Sequence, residues 1–164
     1  MRALFCASLV LLACPRAPVA PAVIDAGPPP DDCTFDTVLV PGVPGSPGHL
    51  IASELNPNGA SELATLMRTM VADWKDARQK LGADAGVTAA RLPTHRKIRC
   101  SWPTAAADRN PTFDGFAVHY LEKVKAFDAK PSRETYEGVL DGCKACHEVS
   151  CGGPLELIEG MRWK

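Results

Sequence analysis

The chain has 164 residues, room for one compact domain plus processed or extended ends. Its 18 basic and 19 acidic side chains leave a net charge of -1, which excludes a general electrostatic affinity for nucleic acid. No apolar run is long enough for a helix to span a bilayer. Seven cysteines in so short a chain point to an oxidising compartment or to a bound group.

Arg2 is followed by the apolar stretch Ala3–Ala13, the basic and apolar regions of a signal peptide, assigned to residues 1–13. Leu11-Leu12-Ala13-Cys14 resembles a bacterial lipobox, whose cysteine becomes the lipidated first residue of the mature chain. A diacylated, N-acylated Cys14 supplies the two or more acyl chains that stable anchoring needs. The expected location is the periplasmic side of the bacterial envelope, with an ordinary signal cut near Ala20 as the alternative. Residues 14–57 read as a tether. The Pro- and Ala-rich stretch from Pro15 to Pro30 cannot form a helix, and a second Pro/Gly run is found at Pro41–Gly48. Between them, the β-branched residues of Cys33–Val40 suit an extended segment pinned to the domain through Cys33.

Residues 58–164 read as an all-α domain, an up-and-down helical bundle of three long helices and a short fourth. Asn58 is the expected cap of a first helix from about Gly59 to Gly82, with Leu63, Leu66, Met67, Met70, Val71, Trp74 and Leu81 at helical spacing. Asn110-Pro111 opens a second helix, with Phe113, Phe116, Tyr120, Val124 and Phe127 on one face. Pro131-Ser132 opens a third, with Tyr136, Val139, Leu140, Cys143 and His147 on one face, ended by Gly152-Gly153-Pro154. Residues 83–109 are weakly patterned. Val87–Arg91 suits a short helix, and Pro93 and Pro103 interrupt helical structure in the remainder of this stretch.

Chemistry is concentrated in Cys143-Lys144-Ala145-Cys146-His147. Cys-x-x-Cys-His is the attachment sequence of c-type haem. Two thiols three residues apart on a helix reach the two vinyl groups on one edge of the porphyrin and form thioethers. The adjacent histidine then presents an imidazole nitrogen to the iron. A redox-active Cys-x-x-Cys would instead open a helix after a strand, where its first thiol is acidified. Zinc would want four ligands, with Cys151 and a distant histidine completing the pair. Plain structural disulfides are the third competing reading.

The segment from Tyr136 to His147 resembles the last helix of the cytochrome c-prime superfamily, the four-helix-bundle haem proteins. The resemblance covers about residues 58–150 and is strongest in the attachment motif. It implies one covalent haem c on Cys143 and Cys146, with His147 as the proximal iron ligand. Gly138 and Gly142 would each cost a helix roughly 1 kcal/mol, and beside a haem their missing side chains would admit the macrocycle. Leu66-Met67-Arg68-Thr69-Met70 looks like the segment facing the iron in methionine-ligated members. Met67 is the favoured distal ligand and Met70 the alternative; His49, His95 and His119 are weaker candidates, and a five-coordinate iron facing Leu63 or Leu66 also stays open. The superfamily departs from this chain four residues past the haem histidine, where a basic residue is common and Cys151 stands here. Bundles of this superfamily often pair, so a homodimer is implied.

With Cys6 lost in the signal peptide, Cys14 lipidated and Cys143 and Cys146 on haem, Cys33, Cys100 and Cys151 remain. One pair can form a disulfide, Cys100–Cys151 or alternatively Cys33–Cys100. The expected function is single-electron transfer with periplasmic redox partner proteins. The alternatives are an open-iron NO or CO binder and, from another class, a non-haem module held by zinc or disulfides. No hydrolase or transferase constellation is present, and for a peroxidase His119 is the one plausible distal acid–base group.

Overall fold

The computed structural model describes residues 33–163. The expected signal peptide, the expected lipidation of Cys14 and the proline-rich spacer fall outside the described residues. Five helices succeed one another in chain order: α1 Glu62–Gly82, α2 Leu92–His95, α3 Pro111–Ala129, α4 Arg133–Ser150 and α5 Leu155–Gly160. Two 3-10 turns, Arg96–Cys100 and Ala106–Asp108, join α2 to α3. The described chain is all-α, and its strand-like pairing is one isolated bridge between Ile51 and Ala60. None of the described helices is long and apolar enough to cross a membrane.

Two caps stand where the sequence puts them. The Asn110 side chain accepts from the Phe113 N–H at 3.0 Å, with Pro111 in the first turn. Ser132 and Thr135 cap α4 reciprocally, each side chain accepting from the other's backbone N–H. The start of α1 differs from the expected one. Asn58 lies in a turn, accepting no helix N–H, and Ser61 is the cap, its hydroxyl accepting from the Ala64 N–H at 3.1 Å. Pro93 differs too: it sits in the first turn of α2, where a missing N–H costs nothing, and so starts a helix rather than breaking one.

The free N–H groups of α1 explain why the expected tether is folded from Cys33 onward. Glu62 N–H donates to the Gly45 carbonyl at 3.0 Å, and Leu63 N–H donates to the Trp102 carbonyl at 2.9 Å. Gly45 has a φ of +93°, and a Cβ there would stand 2.7 Å from the Glu62 nitrogen, so only glycine allows this approach. Further out, one Arg109 guanidinium nitrogen donates to the carbonyls of Phe35 at 2.6 Å and Thr37 at 2.8 Å. Trp102 Nε1 donates to the Val40 carbonyl at 2.8 Å. A disulfide joins Cys33 to Cys100. The expected pairing of Cys100 with Cys151 is therefore replaced by its alternative. Cys151 is a free, exposed thiol at the end of α4, and the partner of Cys100 comes from the segment that Arg109 and Trp102 hold.

The core gathers around Trp74, which is 1% exposed. Its ring meets Phe127 edge-on at 5.1 Å and Tyr136 at 6.2 Å, so one side chain ties α1 to α3 and α4. The antiparallel pair α3 and α4 packs closely, Gly142 against Tyr120 and Gly138 towards Lys123. Past α4 the chain turns back as α5. Arg162 reaches Glu137 at 2.7 Å and Asp141 at 2.8 Å, while the Tyr136 hydroxyl donates to the Met161 carbonyl at 3.1 Å. The segment Leu155–Met161, with Ile158 and Met161 buried, thus packs back on the domain past the Gly-Gly-Pro turn that was expected to end the third helix.

Candidate functional site

The motif occupies the last turns of α4. Tyr136, Val139 and Leu140 are wholly buried on the same face, so Cys143 meets the edge of the core one turn later. Cys146 is buried and His147 half-buried. Cys143 and Cys146 are free thiols, joined neither to each other nor to Cys151. Burial pushes the Cys143 thiol up to about 12 and raises Cys146 as well. Both thiols are thus held protonated, the opposite of what a redox-active Cys-x-x-Cys needs. Zinc has no ready seat either. Among the described residues no group of three or more His, Cys, Asp or Glu side chains is gathered closely enough to hold a metal ion.

His147 is oriented by its own helix end. Its Nδ1 lies 2.8 Å from the Cys151 carbonyl, which can only accept, so Nδ1 carries the proton and Nε2 keeps its lone pair. A backbone carbonyl on the remote nitrogen is the arrangement that fixes tautomer and ring orientation in metal-ligating histidines. The donor set therefore fits a covalently held haem: two protonated thiols three residues apart and an imidazole with a defined free nitrogen.

Met70 is buried within the core, whereas Met67, like Leu66 and Cys143, is half-buried and packs against it. Gly138 and Gly142, expected beside a haem, lie along α3. Both face α3, where added methyl groups would meet Lys123 at 4.0 Å and the Tyr120 Cα at 3.4 Å, and Gly138 lies roughly 180° around α4 from His147. Their visible contact is helix against helix. His119 is exposed and, with Pro111, Phe116 and Ala145, lines an open depression of about 410 Å³. His49 is exposed as well. A second depression of about 550 Å³ lies between Lys75 of α1 and Gly153, Glu156 and Leu157 around α5.

His95 is the residue sequence reasoning misjudged. Lying in the weakly patterned stretch 83–109, it is 0% exposed and has both ring nitrogens occupied. Its Nε2 lies 3.0 Å from Asp73 Oδ2 and its Nδ1 2.7 Å from the Tyr120 hydroxyl, which in turn accepts from Trp74 Nε1 at 2.9 Å. With neither nitrogen free, it does not suit an iron. Burial outweighs the attraction of Asp73 and holds the His95 pKa below its ordinary value. The folded state therefore binds this proton more weakly than the unfolded chain. Stability is full above about pH 6.5 and declines as pH falls below it. Urea titrations from about pH 7 to about pH 5.5 should show a falling midpoint, and His95→Gln should flatten that fall; an equal slope in both proteins would dismiss the linkage.

Compared with known proteins, the chain matches no family model, no curated protein and no solved structure.

Proposed function

We propose that the chain is a c-type cytochrome carrying one covalent haem, a bundle of the cytochrome c-prime kind anchored by a lipid on Cys14 to the periplasmic face of a bacterial membrane. The observation that carries this reading is the Cys-x-x-Cys-His run itself, with both thiols free and the His147 imidazole held through Nδ1 by the Cys151 carbonyl. When bound, haem supplies a one-electron iron couple. Cys143 and Cys146 would fix its edge to α4, and His147 would offer Nε2 as the proximal ligand. Met67 would be the distal ligand, with the buried Met70 as the alternative. Such a protein passes single electrons to periplasmic redox partners.

The test is the visible spectrum of protein made with its signal peptide and a haem-attachment system, reduced with dithionite before and after carbon monoxide. A sharp α-band unmoved by CO supports a six-coordinate electron carrier. A broad spectrum that sharpens with CO shifts the reading to gas binding at an open iron. Absence of covalent haem returns the chain to a non-haem module. In the haem-bearing protein, Met67→Ala is expected to convert a low-spin ferrous spectrum to a high-spin one, and an unchanged spectrum would remove Met67 as the ligand.

A further inference from the structure

The chain has two tyrosines, and both are buried. Their hydroxyls are held very differently. The Tyr136 hydroxyl donates to the Met161 backbone carbonyl, a group that accepts a hydrogen bond but is not a base. The Tyr120 hydroxyl lies 2.7 Å from an imidazole nitrogen. An indole N–H can only donate, so Trp74 Nε1 donates to the Tyr120 oxygen at 2.9 Å. The Tyr120 proton then points to His95 Nδ1, which must be the unprotonated nitrogen. His95 Nε2 keeps its hydrogen and donates it to Asp73 Oδ2 at 3.0 Å. Four side chains from three segments thus form a chain with one consistent direction, running from the core to a carboxylate that is 38% exposed.

We propose that Tyr120 is a one-electron donor whose phenolic proton passes to His95 as the electron leaves. The step balances within these residues and an outer-sphere one-electron oxidant. One electron goes from the phenol to the oxidant. The Tyr120 O–H bond breaks and its proton forms a bond to His95 Nδ1. The products are a neutral tyrosyl radical, an imidazolium and the oxidant reduced by one electron, and re-reduction returns the proton. Burial keeps the phenol protonated until it is oxidised. Oxidised phenols are strong acids, so an imidazole of reduced basicity still takes the proton. The charges around the new imidazolium come from each packed element: Asp73 from α1 and Asp128 from α3 favour it, and Arg91, ahead of α2, opposes it. Trp74, bonded to the same oxygen and edge-on to His95 at 5.3 Å, is the neighbouring ring through which an electron can leave. Tyr136 has no comparable base, so its oxidation would strand a proton in the core.

This inference does not depend on haem. Tyr120 does pack against Gly142, the residue before Cys143, so a haem held there would have this donor beside its point of attachment.

The test uses the full chain as purified, oxidised by photogenerated tris(bipyridine)ruthenium(III) and freeze-quenched for electron paramagnetic resonance. The expected signal is a tyrosyl radical that narrows when ring-deuterated tyrosine is incorporated. It should persist in Tyr136→Phe, whose single remaining tyrosine is Tyr120, and disappear in Tyr120→Phe. In His95→Gln the radical should be lost or formed much more slowly. Where removing Tyr120 or His95 prevents folding, deuterium narrowing in Tyr136→Phe and a slower formation in D2O decide the matter in a folded protein. A tryptophanyl signal, no signal, loss of the radical in Tyr136→Phe, or formation indifferent to D2O would overturn the proposal. With any haem iron already oxidised before the flash, the readout follows tyrosine and its proton alone, so failure here is separable from failure of the cytochrome reading.

Discussion

Trp74→Ala is expected to cost about 3–5 kcal/mol of folding stability, as truncation of a fully buried large aromatic does. The side chain is 1% exposed and meets His95, Phe127 and Tyr136 edge-on, so the cavity would open where α1, α3 and α4 meet. Two further losses accompany it. The Tyr120 hydroxyl loses its N–H donor, and the buried Arg91 guanidinium, 5.4 Å above the indole, loses an aromatic face. Small domains have only about 5–15 kcal/mol in total, so this one change removes a large share. Urea unfolding at neutral pH measures it. Trp74→Phe separates the components, since it restores much of the volume but not the donor and should recover more than half of the loss. A cost below about 1 kcal/mol for the alanine variant would mean that the core is not organised around this residue.

Replacing both Cys33 and Cys100 by serine is expected to lower stability by up to about 4 kcal/mol. The bridge closes a loop across a sequence separation of 67, and the entropy removed from the unfolded chain grows with the logarithm of that length. The segment would not be released outright, because Arg109 still binds the Phe35 and Thr37 carbonyls and Trp102 the Val40 carbonyl. Part of the cap on α1 is tied to the same region through Gly45. Thermal unfolding of the parent chain with and without reductant, beside the double variant, reads the effect. The reduced parent should match the variant. If the oxidised parent does so too, the bridge adds nothing.

Features set by a few neighbouring residues were legible without a structure. Asn110-Pro111 and Pro131-Ser132 cap their helices because a side-chain oxygen reaches an N–H three residues on, a local event. The Cys-x-x-Cys-His motif was equally plain, its chemistry written within five residues. At the start of α1 local preference was ambiguous, since Asn58 and Ser61 are both good caps. The choice was made by Gly45 and Trp102, distant residues whose carbonyls meet the N–H groups of Glu62 and Leu63. His95 failed for the same reason. Nothing around Pro93 announces that Asp73 and Tyr120 converge on its two nitrogens from other helices. Three leftover cysteines allow three pairings, and proximity to the motif was a poor guide. Gly138 and Gly142 carried a cofactor argument that their contacts with α3 do not need.

The Cys33–Cys100 bridge also divides the molecule topologically. It closes a covalent ring of residues 33–100 that contains α1 and α2, while α3, α4 and the motif hang outside as a linear arm. Residues 83–90, almost all exposed, lie inside the ring. A protease cutting there leaves the two halves linked, whereas a cut at the exposed 151–153 turn frees the terminal piece. The ring is thus protected against loss by a single nick, whereas the piece carrying α5 would be held only by its packing, ion pairs and hydrogen bonds to α4.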